Sequence, residues 1–143
     1  MQVQIPSVLS AISVVGAQLA APVVADAGGV QVMTLDFGLV VQPQIVLVQA
    51  QWSATKDVTD GETDVTISQF DGTAIVEFQP NDDTLSYQLP LHPAGTLWFG
   101  QSFGVLTVVQ GGTLVMEMTA SSQGSDATLA QAVTAIRAMK FNR

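Results

Sequence analysis

The run Gly100-Gln101-Ser102-Phe103-Gly104 matches the G-x-S-x-G pattern, in which a strained strand-to-helix turn lifts a serine hydroxyl toward a histidine base. Its surroundings argue against that chemistry. Val105-Leu106-Thr107-Val108-Val109 follows as a strand pattern, and the single histidine, His92, precedes the serine, whereas the fold that uses this motif places it last. The expected role of 100–104 is a glycine-flanked strand connection, with no catalytic residue, and the chain reads as no enzyme. His92, between Leu91 and Pro93 and far from any second imidazole or thiol, has little capacity to bind a metal. Hydrogen bonding at a surface or interface is its expected use.

Asp57, Asp60, Glu62 and Asp64 place four carboxylates in eight residues around Gly61. Oxygen donors at that density are calcium candidates, but the spacing does not follow an EF-hand loop, so a solvated acidic connection is expected. Gly28-Gly29 and Gly111-Gly112 lack the lysine and helix start of a phosphate cradle. Trp52, Trp98 and Phe99 suit a sugar-stacking platform, yet packing is the commoner role for aromatics in a β protein. No cofactor is expected.

The elements around these residues are set in an unusual composition. Charged residues make up 11% of the 143, against about 25% in typical soluble domains. Residues 1–25 carry no charge, and 84–116 carry none beyond His92. Such surface costs little to desolvate. The formal net charge is −8, and of four basic residues (Lys56, Arg137, Lys140 and Arg143) three fall in the last seven positions. The body therefore lacks a phosphate-neutralising stripe, and nucleic-acid binding by it is not expected. Without cysteine, thiol chemistry and disulfides drop out.

From Val30 onward, short runs rich in Val, Ile, Thr and aromatics alternate with turn signals. Strands are predicted near 30–35, 44–51, 64–69, 73–78, 84–89, 96–99, 104–109 and 113–120, with a hairpin at Phe70-Asp71-Gly72-Thr73. Alternation assigns Leu85, Tyr87 and Leu89 to one buried face, and Leu114, Met116 and Met118 to another, with Leu106 and Val108 also facing inward. Ile45–Val48 and Val105–Val109 are apolar on both faces, so these strands are central or covered by another chain. The fold class that follows is all-β, an antiparallel sandwich with a jelly roll favoured over an Ig-like arrangement.

The ends read differently. Ser7 is placed to cap a helix carrying Val8, Ile12, Val15 and Leu19, stopped by Pro22. Asp126 is placed to cap a second in which Leu129, Ala132, Val133, Ile136 and Met139 form one stripe. Ala-rich apolar runs leave strand readings open for both. The expected organisation is an apolar arm over 1–27, a β-sandwich over 28–125 and a C-terminal helix or tail over 126–143. Ala25-Asp26-Ala27 imitates a signal-peptidase site, but no basic residue precedes the apolar run, and Ser10, Ser13, Gly16, Gln18 and Pro22 interrupt it. Neither a cleaved leader nor a membrane span is expected.

A Cys-free, Lys-poor β chain rich in Gln, Thr, Val and Gly with an apolar segment at each end resembles the small virion proteins of bacteriophages, such as head decoration or cement proteins, jelly-roll capsid proteins and tail or baseplate subunits. The resemblance lies in composition and strand pattern. It implies a non-enzymatic structural subunit located in the virion, with other copies of itself and other virion proteins as partners. Edges poor in lysine and uncharged termini fit burial by neighbours. The residues expected at such joints are Val8, Ile12, Val15 and Leu19 at one end and Ile136, Arg137, Met139, Lys140 and Arg143 at the other. The competing reading is a carbohydrate-binding sandwich supported by calcium at 57–64, and a third is a small hydrolase using Ser102.

Overall fold

A computed structural model describes residues 12–42, 44–79, 84–89 and 94–141. Eleven strands follow one another: β1 (Ile12–Gln18), β2 (Val23–Ala25), β3 (Val30–Val40), β4 (Gln44–Lys56), β5 (Thr63–Gly72), β6 (Ile75–Gln79), β7 (Thr84–Leu89), β8 (Trp98–Gln110), β9 (Gly112–Ser122), β10 (Ala127–Leu129) and β11 (Ala135–Phe141). Every pairing among them is antiparallel.

Two sheets form. The first, sheet A, is built on β4, which pairs along one edge with β8 from Gln44 to Ala54, β8 being itself bordered by β6. The other edge of β4 is shared: β11 covers Val46–Gln51 and β10 covers Ala54–Lys56. Outside them, β1 pairs β11 and β2 pairs β10. So β1 with β2, and β10 with β11, act as two interrupted long strands. Sheet B has the order β3-β9-β5-β7. Successive long strands alternate between the two sheets, which is the jelly-roll connection.

Inward faces follow from period two. Val46, Val48, Ala50, Trp52 and Ala54 of β4 are all buried, as are Leu114, Met116 and Met118 of β9 and Leu106 and Val108 of β8. Those of β8 and β9 match the faces expected from alternation. The side chains of Leu85, Tyr87 and Leu89 lie outside the described residues, although β7 covers the expected span. Opposite sheets meet through large apolar groups such as Phe37, Phe78, Ile67, Leu129 and Ile136, each at most 1% exposed.

Three expectations change. Neither end is helical where described, because the ends are needed as strands. Ile136, Ala138 and Lys140 point inward and Arg137 and Met139 outward, a period of two, and β11 supplies hydrogen bonds that the central strand β4 would otherwise lack. The described parts of the expected arm and tail, β1 and β2 at one end and β10 and β11 at the other, pair within sheet A. The 70–73 turn is not a hairpin: β5 belongs to sheet B and β6 to sheet A, so Gly72, at φ 118°, changes sheets. The separate strands at 96–99 and 104–109 are one continuous β8.

Candidate assembly surface

Among the described residues, several that could have done chemistry are occupied by structure. Ser102 lies in mid-strand on the inner face of β8, opposite Ala50, and is buried. Its flanking glycine has a packing reason: a Cβ on Gly100 would stand 2.4 Å from the indole of Trp52. The motif therefore marks close approach of a ring to a backbone. His92 lies outside the described residues. Trp52 is in the core and Trp98 half-buried against it, leaving Phe99 exposed and the three aromatics without a shared platform.

The acidic segment serves as a latch. Lys56 and Asp60 form an ion pair, and Asp60 accepts hydrogen bonds from the Ser125 backbone at 2.8 Å and hydroxyl at 2.7 Å. The Ser125 hydroxyl, and after it Lys56, hold the Asp60 carboxyl below its ordinary range. Among the described residues, no three or more His, Asp or Glu side chains gather as a metal site.

Lys140 is enclosed too. Its ammonium donates to the carbonyl of Phe37. Phe37 is the extra residue of a bulge in β3, where pairing with β9 steps from Asp36 to Gly38. A bulged carbonyl is left out of the ladder, so a lysine reaching across from sheet A satisfies it.

The outer face of sheet A holds a run of neighbouring uncovered apolar groups. Ile45 and Leu47 of β4, Phe103 of β8, Val14 of β1 and Met139 of β11 point to solvent there. Val14 and Phe103 are 66% exposed and Leu47 41%, although β4 is the most enclosed strand by pairing. The register makes these neighbours: Leu47 stands opposite Met139 on one side and Val105 on the other, and Met139 stands opposite Val14. Together with Phe103 and Arg137 they line a shallow trough of about 430 Å³. Arg137 lies across Gly16, where its Cγ comes 3.4 Å from the place a Cβ would take.

Charge is distributed to match. Among the described residues, the strands of sheet A offer solvent one acidic group, Glu77, and one basic group, Arg137. Among the described residues, sheet B carries Asp36, Asp64, Asp71 and Glu117 with no basic residue on its strands, and the connections add Asp26, Asp57, Asp60, Glu62 and Asp126. The apolar face is thus also the neutral one.

Of the joint residues expected from sequence, Arg137 and Met139 lie on this face. Leu19 and Ile136 are in the core, Val15 packs against it, and Lys140 is turned inward. Ile12 is placed by its backbone opposite Phe141, and Val8 and Arg143 lie outside the described residues. Val14, Leu47, Phe103 and Glu77 were not singled out. The doubly apolar run Ile45–Val48 is the signal for Leu47, and the other three carry none of that kind.

The sequence matches no known protein family and no curated protein. Solved structures do match. Infectious bursal virus derived T=1 particles superpose with a TM-score of 0.60 at 10% identity, over 92% of this chain and 32% of theirs. The shared fold is the antiparallel jelly roll. The Gt strain of infectious bursal disease virus matches this jelly roll at a TM-score of 0.56 and 11% identity, over 92% of this chain and 33% of its own. Murine APRIL at pH 5.0 shares it at 0.50 and 16%, with 90% and 98% covered. The jelly roll spans about a third of the viral chains it matches.

Proposed function

We propose that this chain is a non-enzymatic structural subunit of a virion, a capsid decoration or cement protein or another capsid-associated subunit, joined to its neighbours through the outer face of sheet A. One observation carries the reading: a contiguous, nearly charge-free apolar face on the outside of sheet A. Monomeric soluble proteins rarely leave such a patch in water, and large ones mark interaction sites. The likeness in fold to chains of virus particles supports the same reading, as does the composition shared in style with small bacteriophage virion proteins. Assembly here uses a sheet face, with the terminal strands serving to build it.

Size-exclusion chromatography with light scattering tests this. The full chain should elute as an oligomer or particle above its 15.0 kDa mass, and Leu47→Asp, which places a charge at the centre of the face, should give a folded monomer. A wild-type chain that stays monomeric at about 100 μM, weaker than the micromolar range of functional contacts, would overturn the reading. So would retention on a glycan resin with release by chelator.

A further inference from the structure

The geometry points to a second copy of this chain as the partner of that face, docked about a two-fold axis that sets Arg137 of each copy over Glu77 of the other. This rests on reading the outer face of sheet A as an assembly surface and adds which partner it takes and in which orientation.

Four strands lie side by side in the order β11-β4-β8-β6. Across them runs the row Met139, Leu47, Val105, Gln79, in which each residue is opposite the next. Arg137 is level with Gln49, two residues to one side of that row along β4, since it pairs with Gln49. Glu77 pairs with Thr107, which pairs with Ile45, two residues to the other side. The two charges therefore occupy opposite corners of a rectangle three strand spacings wide and four residues long. With about 4.8 Å between strands and about 3.3 Å per residue, they stand about 20 Å apart, and the centre of the rectangle falls between Leu47 and Val105.

This arrangement is self-complementary. A two-fold axis lying between two stacked sheets, passing over that centre and crossing the Arg137–Glu77 diagonal at a right angle, exchanges the two corners. Each arginine then faces the partner's glutamate twice over, with Leu47 and Val105 of both copies at the middle, as an isologous interface requires. The same operation turns the strands of one copy nearly perpendicular to those of the other, which is one of the two ways in which sheets pack face to face. Sheets stacked about 10 Å apart are within the combined reach of an arginine and a glutamate. Two chains of formal charge −8 repel, and the face where they can meet with least repulsion is the one whose charges cancel.

Sedimentation equilibrium at low ionic strength tests the pairing on the full chain and on Arg137→Glu, Glu77→Arg and the double reversal. Both sites are exposed, so folding should persist, as circular dichroism will check. If a reversal impairs folding, Arg137→Gln and Glu77→Gln take its place, with the same weakening expected from each alone. Each single reversal should weaken dimerisation at least tenfold, and the double reversal should restore it. Association unaffected by the single reversals but abolished by Leu47→Asp would overturn the two-fold pairing and leave the assembly face standing. Single reversals that weaken association without rescue in the double would also overturn it. A wild-type chain with no association would remove both readings.

Discussion

Lys56 Nζ stands 2.9 Å from Asp60 Oδ1 and donates as well to the carbonyls of Asp60 at 2.5 Å and Gln123 at 2.7 Å. This closes the connection after β4 onto the connection between β9 and β10. The backbone there is too close for side chains: a Cβ on Gly61 would lie 2.0 Å from the Gln123 carbonyl oxygen, and one on Gly124 would lie 2.6 Å from the Asp60 carboxyl carbon. Both glycines also have positive φ, at 49° and 78°.

The latch should respond to acid. A carboxyl whose pKa is lowered on folding adds stability that is present above its unfolded value, near 3.9, and lost as pH falls through the lowered folded value. Thermal melts should therefore show wild type ahead of Asp60→Asn at neutral pH, with the gap closing below about pH 4. A gap independent of pH would mean that the Asp60 charge does not hold the latch.

Gly100→Ala should cost roughly 3 kcal/mol in urea unfolding, because the indole of Trp52 has no room to withdraw from the added methyl. Ser102→Ala, two residues away, should stay within about 1 kcal/mol of wild type. An equal effect of the two would separate the glycine from the ring contact.

Lys140→Met keeps the aliphatic stem and removes the donor to Phe37. An unpaired buried carbonyl costs about 1–3 kcal/mol, so the variant should unfold at lower urea by that amount. The loss should survive high salt, since among the described residues no carboxylate pairs with Lys140.

Truncation after Ser125 should abolish folding. It deletes β10 and β11 and strips one edge of β4 of its partners. Circular dichroism of the truncated chain, compared with full length, decides this. A folded β body without them would restore the division into body and tail that the sequence suggested.

How far the fold was legible depended on where the deciding contacts lay. Strand β7 was readable to the residue and β9 to within two at each end, because their alternation is a local property, whereas β5 runs three residues past its expected end into the expected hairpin. At the C-terminus, Leu129, Val133 and Ile136 are compatible with helical spacing, and only the distant strand β4 decides that Ile136 pairs with Ala50. Gly100 reads from sequence as part of a strand connection, and its close approach to Trp52, 48 positions earlier in the chain, is decided only by the fold. The candidate face was half visible. Ile45–Val48 announced two apolar sides, but the sequence does not reveal that Val14 and Met139 join them across three strands.

Enclosing both lysines has a consequence for the molecule outside any assembly. Lys56 and Lys140 are sealed in the interior, and Arg137 sits in mid-strand between β1 and β4. Among the described residues, no loop carries a basic side chain. Trypsin-like proteases cut after Lys or Arg in chain that can unfold locally into their cleft, and the exposed connections here offer them no such residue. Digestion by that enzyme class must wait for the sandwich itself to open, so its rate reports global unfolding rather than loop motion.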